Sequence, residues 1–105
     1  ELASLATRTL ADIRIAPQLD ARELVNLLQA IDAWRRPDRM RELLCIAAID
    51  DDAPPGDYAP SRVIEAALVA TLGVNAAALA ADRSDPRSVP DRIRDARVAA
   101  VQDAR

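Results

Sequence analysis

The sequence predicts an all-α fold: a small irregular bundle of about five to six helices in a single domain over residues 1–105. Three observations predict it. Apolar residues recur at helical three-to-four spacing almost throughout, and no stretch alternates apolar and polar as a half-buried strand does. Helix-start signals, either a capping-box pair or a proline ahead of an apolar run, recur along the chain. Half of the residues are apolar, yet phenylalanine is absent and Trp34 and Tyr58 are the sole aromatics. The core is therefore built from Leu, Ile, Val and Ala, and small side chains allow helices to approach closely.

A first helix is expected from Leu2 to Ile15, with Leu2, Leu5, Thr9 or Leu10, and Ile13 inward, and Pro17 helps end it. Asp20 and Glu23 form a capping box that opens a second helix. On it Leu24, Leu27, Leu28, Ile31 and Trp34 share one face. Pro37 suits the first turn of a third helix, where its missing N–H is not needed, and Met40, Leu43, Leu44 and Ala47 continue the buried face. Only a residue or two around Arg36 is expected between these helices, which then meet as a bent pair. Asp50 to Pro60 is dense in aspartate and proline and reads as a loop.

The fourth helix starts at Ser61, turns Ile64, Ala67, Leu68 and Leu72 inward, and takes Gly73 as its C-cap. Asn75 caps a short alanine-rich turn or helix through Ala81. Asp82 to Arg87 is a polar linker. Ser88 and Asp91 form another capping box with Pro90 in the first turn, and the last helix runs to about Asp103. It is expected to bury Ile93, Ala96, Ala100 and Val101.

The net charge is −3, and every basic side chain is an arginine. Nucleic-acid modules usually carry a basic balance, but local patches coexist with an acidic total. Arg35, Arg36, Arg39 and Arg41 form one concentration; Arg83, Arg87, Arg92, Arg94 and Arg97 form another. Asp50, Asp51, Asp52 and Asp57 concentrate the opposite sign. Three adjacent aspartates lack the alternating ligand spacing of a calcium loop and read as a solvated loop. Cys45, alone and within an apolar run, reads as a small buried hydrophobe. With no histidine to act as a base, a catalytic thiol or a stand-alone hydrolase is disfavoured. No glycine-rich phosphate loop exists with only Gly56 and Gly73 available. No run reaches the roughly 18 apolar residues of a membrane span and no signal peptide is visible, so cytoplasmic residence is expected. Glu1 in place of a starting methionine reads as the beginning of an excised piece.

The segment Leu28-Gln-Ala-Ile31-Asp32-Ala-Trp34-Arg35-Arg36-Pro37-Asp38-Arg39-Met40 resembles the C-terminal helical region of bacterial tRNA nucleotidyltransferases, the CCA-adding enzymes. There an Ile-Asp-Ala-Trp-Arg-(Arg/Lys)-Pro-x-Arg segment follows a metal-dependent phosphohydrolase domain. Ala47-Ala48-Ile49-Asp50 stands where that family has Glu-Ala-Asp and then an Arg-Gly-Arg turn. Asp57-Tyr58-Ala59-Pro60 with Arg62 resembles the family's Asp-Tyr-Pro-Gln helix start, and Ile93 to Val101 resembles its terminal Leu-x-Arg-x-Arg-Ile helix. The departures are informative. The Arg-Gly-Arg turn is replaced by Asp51-Asp52-Ala53-Pro54-Pro55-Gly56, and Leu10 and Arg14 fall in register with the two histidines of the family's phosphohydrolase segment.

The resemblance implies a non-catalytic segment that helps hold the tRNA body while a missing N-terminal head adds C, C and A to the 3′ end. That head uses CTP, ATP and magnesium; no cofactor is implied in this segment. Partners implied are tRNA and the parent's N-terminal domains. Arg35, Arg36 and Arg39 are the first candidates for backbone contacts and Arg94 and Arg97, three apart and on one helix face, the second, since a guanidinium matches phosphate geometry. The competing reading of these arginines is local neutralisation by Asp32, Asp38 and Glu42, and by Asp91 and Asp95. Trp34, in phase with Leu27, Leu28 and Ile31, reads as a core or helix-junction anchor rather than a platform for a base. The second class of function is a helical interaction or dimerisation module, a possible homodimer docking through Val63 to Leu79.

Overall fold

The computed structural model describes residues 9–84 and 86–104. Expectations for Leu2 and Leu5 lie outside the described residues. Residues 9–14 are helical (α1) and run into a 3-10 turn, Ala16–Gln18. Then come α2 (Ala21–Ala30), α3 (Pro37–Asp50), a 3-10 turn at Pro55–Asp57, α4 (Ala59–Leu72), α5 (Ala76–Ala81) and α6 (Val89–Ala104). No strand occurs among the described residues, so the all-α expectation holds.

The α2 capping box forms in both directions. Glu23 N–H donates to Asp20 Oδ1 at 2.8 Å, and Asp20 N–H donates to Glu23 Oε1 at 3.2 Å. Two otherwise orphaned donors are thereby satisfied. Ala21, Leu24, Val25, Leu27 and Leu28 are buried on the resulting face. α2, α4 and α6 pack on one another in all three pairings, while α5 rests on α6 and α3 on α4 and the Pro55–Asp57 turn. The core they enclose includes Leu24, Leu28, Ile64, Leu68 and Val101, with Met40 and Ala47 from α3 and Ile13 from α1.

α2 ends at Ala30, four residues short of Trp34. Asp32 takes φ 55°, in the left-handed region. Ala33 N–H reaches back to Leu28 O at 3.0 Å, and Asp32 N–H to Gln29 O at 3.1 Å. This pair of bonds is the Schellman stop, with fully buried Ala33 packed beyond it. α3 ends the same way: Asp52 has φ 55°, Ala53 N–H donates to Ala48 O at 2.8 Å, and Asp52 N–H to Ile49 O at 3.1 Å. The turn where the resembled family carries glycine thus holds a left-handed aspartate. Gly73 is the C-cap of α4 as expected, but its φ of −75° is right-handed. The freedom of glycine is therefore unused at the helix end that has one.

Further boundaries and faces differ from expectation. Leu72, expected inward, is 64% exposed, because the buried stripe of α4 runs through Ile64, Ala67, Leu68 and Thr71. α4 begins at Ala59, two residues before Ser61, because Pro60 needs no helical partner for its nitrogen in a first turn. Cys45 is exposed, because the buried stripe of α3 runs through Met40, Leu44, Ala47 and Ala48 and leaves residue 45 off the face. α6 fully buries Arg92, Val98 and Val101, with Ile93, Ala96 and Ala100 only partly covered.

A left-handed L-residue costs roughly 1 kcal/mol that glycine avoids. Asp52→Gly, which leaves the hydrogen bond between Tyr58 and Asp51 untouched, is expected to raise the unfolding free energy by about 0.5–1 kcal/mol in urea titrations. An unchanged midpoint contradicts the assigned backbone conformation.

Candidate nucleic-acid interface

The first arginine group is set out by the α2–α3 junction. Arg35 lies in the turn that follows the Asp32 reversal, Arg36 is the N-cap of α3, and Arg39 sits in its first turn behind Pro37. All three are exposed. Arg35 Nη1 approaches Asp32 Oδ2 at 3.8 Å with 83% of its side chain in solvent, a loose pair of small energetic weight. Arg36 and Arg39 form no ion pair among the described residues. Arg41 reaches across to Glu65 on α4 at 3.3 Å instead of pairing with a neighbour on its own helix. Local neutralisation thus accounts for Arg35 and not for Arg36 or Arg39.

The second group divides by role. Arg94 pairs with Asp91 at 2.7 Å. Arg87 pairs with Asp95, which also lies 3.7 Å from Arg22. Arg92 is buried, and its Nη1 donates to Leu79 O at 2.7 Å and to Asp82 O. It therefore closes the carbonyl end of α5, where a cation also meets the negative end of the helix dipole. Arg97 does something else: its guanidinium lies 3.9 Å from the centroid of the Trp34 ring. Burial pushes its pKa below the ordinary arginine value.

Of the core and junction roles that its spacing left open, partly buried Trp34 takes the junction. Its Nε1–H donates to Thr71 Oγ1 at 2.8 Å, and the Thr71 hydroxyl donates to Leu68 O at 2.8 Å. The α2–α3 turn is thereby fastened to α4 below and to α6 above. A groove of about 430 Å³ opens between α2 and α6, lined by Gln29, Asp32, Trp34, Ile93, Arg94 and Arg97 among others. The structure brings Arg94 and Arg97 into this groove and leaves Arg36 and Arg39 outside its lining. The sequence placed Arg94 and Arg97 on a shared face but gave no sign that Trp34 would sit under one of them.

The acidic loop has an internal purpose. Arg14 pairs with Asp50 and, at 3.1 Å, with Asp51, and Tyr58 OH donates to Asp51. Leu10 packs on the core. The two positions in register with the family's histidines are thus a core residue and an ion-pair donor, and neither side chain ligates metals. Among the described residues no group of three or more His, Cys, Asp or Glu is placed to hold a metal ion. None of the described helices is long and apolar enough to cross a membrane.

Two measurements test these interactions. Thr71→Val strands the Trp34 indole N–H, and a loss of about 1–3 kcal/mol of stability is expected in denaturant unfolding. The Tyr58 hydroxyl is pushed up from 10.0 to about 12, first by burial, then by its hydrogen bond to Asp51 and that carboxylate's charge. Above pH 10 the unfolded chain releases this proton while the folded chain keeps it. The associated stability is therefore fully present below pH 10 and lost as pH rises toward 12. Tyr58→Phe is expected to remove that part of the alkaline decline.

A multifunctional CCA protein of Aromatoleum aromaticum is 39% identical over 106 residues, covering 97% of this chain and 26% of its own length. Those of an Azoarcus species and of Dechloromonas aromatica are 38% and 34% identical, with the same shares covered. The chain therefore spans about a quarter of the length of these curated relatives. No protein-family model matches it, and no solved structure does. Over nearly its whole length, the chain aligns with a part of a CCA-adding enzyme.

Proposed function

We propose that the chain is the non-catalytic helical segment of a tRNA nucleotidyltransferase, a single domain that helps hold the tRNA body while an N-terminal head adds CCA to the 3′ end. The observation that carries this reading is the 39% identity to a CCA protein across 97% of the chain. Transfer chemistry, with CTP, ATP and magnesium, belongs to that head and to the cytoplasm, and the segment alone has no turnover. Arg36 and Arg39 support the binding role: they are exposed cations without an ion pair among the described residues, on a rigid helix start. Arg35 extends the same surface. Interactions of this kind follow the phosphate backbone, so they position the RNA without reading its sequence.

Filter binding of tRNA over a range of salt concentrations tests the role. Arg36→Gln with Arg39→Gln is expected to weaken binding and to reduce the log–log salt slope by about two, roughly one for each phosphate no longer engaged. Wild-type binding with an unchanged slope in the double variant removes these arginines from the interface.

A second reading, a dimerisation module, is favoured by the exposure of Val69 and Leu72 one turn apart on α4, at 68% and 64%. Sedimentation equilibrium separates the two readings. A tight dimer indifferent to tRNA supports the module; a monomer that binds tRNA supports the tRNA-holding role.

A further inference from the structure

Arg97 is poorly compensated for a side chain in its position. No ion pair or hydrogen bond joins it to any described residue, and its Nε is shut off from water without a partner. The Trp34 ring covers one face of the guanidinium at 3.9 Å. A ring face attracts the cation, but it does not take up the in-plane N–H donors. The C-terminal turn of α2, with Gln29 and Asp32, forms the opposite wall of the groove and offers the negative end of its dipole. Asp32 also lines the groove, but the guanidinium within its ion-pair range is that of Arg35, at 3.8 Å. Arg97 is partly buried, and even partial removal of a cation from water without an anion is costly. Arg97 lines this groove, and a guanidinium there without an ion-pair partner is an arrangement completed by a small anion.

Arg94 supplies a second cation on the same wall, held at 2.7 Å by Asp91. The stack on Trp34 restricts the Arg97 plane, so less side-chain freedom is lost on binding than at the exposed Arg35, Arg36 or Arg39. The planar fork suits two oxygens of one tetrahedral group.

We propose that the groove between α2 and α6 is a phosphate site that takes one phosphodiester of an RNA backbone on Arg97 and Arg94, with Trp34 as the support that fixes the Arg97 plane. The choice of RNA as the occupant rests on the tRNA-holding reading above; the anion site itself does not. Among the arginines, Arg97 then ranks ahead of Arg35 in engaging the backbone.

Trp34 is the only tryptophan, so its emission reports directly on Arg97. The chain is titrated in phosphate-free buffer with inorganic phosphate, ATP and tRNA, with circular dichroism to confirm that each variant is folded. Phosphate and tRNA are both expected to change the emission, tRNA at far lower concentration, and phosphate is expected to compete with tRNA. Arg94→Gln, which leaves the stack on Trp34 intact, is expected to weaken the phosphate response roughly tenfold, as removal of one charge-assisted hydrogen bond does. Arg97→Lys, which keeps the charge but loses the fork, is expected to weaken it as well. No phosphate response, with tRNA affinity unchanged in both variants, overturns the groove site and leaves the tRNA-holding reading standing on Arg36 and Arg39. A variant-sensitive phosphate or ATP response that tRNA does not displace overturns RNA as the occupant and makes the groove a site for free phosphate or nucleotide.

Discussion

The indole of Trp34 is the meeting point of three parts of the chain, and the packing of the bundle follows from it. It stands on the turn between α2 and α3, donates to Thr71 on α4, and lies beneath Arg97 on α6. A turn with two helices hanging from it has many low-energy directions. The left-handed backbone at Asp32 reverses the chain locally, and the two interactions of Trp34 then select one direction. In a core otherwise made of aliphatic side chains and alanines, one large ring with a polar edge can fix geometry that Leu and Ala would leave adjustable. The helices α2, α4 and α6, joined by this residue, are the three that pack in every pairing.

The arginines divide according to whether the fold has already used their charge. Arg14 fastens α1 to the acidic turn after α3, Arg41 ties α3 to α4, and Arg92 seals the end of α5. Arg36, Arg39 and Arg97 carry no ion pair among the described residues. A negative total charge is therefore a poor guide to the surface. Acidic side chains are spent inside the molecule on particular arginines, and unspent positive charge remains near the α2–α3 junction and in the neighbouring groove.

Helical periodicity made the fold class, the α2 capping box, Asn75 as a cap and the inward phase of Trp34 legible in the sequence, because each depends on spacings of three or four residues. The end of α2 was not legible. Ile31 and Trp34 still face inward after the helix has stopped, so the apolar spacing runs on through the reversal, and the left-handed residue is an aspartate where glycine is the usual signal. The inward turn of Arg92 was hidden because its acceptors are carbonyls of Leu79 and Asp82, groups that every residue carries. Cys45 lies in an apolar run, and hydrophobicity alone does not say which side of a two-sided helix is covered. Of the candidate site, the shared face of Arg94 and Arg97 was legible; their company with Trp34 depends on how α6 lies against the α2–α3 turn.

The short α5 helix has no buried residue. Six residues, mostly alanine, are far below the length at which a helix holds itself in water. Its carbonyl end is occupied by Arg92, a guanidinium that is itself buried with its Nε unpartnered. If α5 frays, Arg92 loses both of its carbonyl acceptors, and that penalty falls on the opening. The two therefore form one cooperative unit: a side chain on the next helix lends stability to a segment whose own sequence supplies almost none. Amide exchange in α5 then measures the burial of Arg92 more than the helix propensity of alanine.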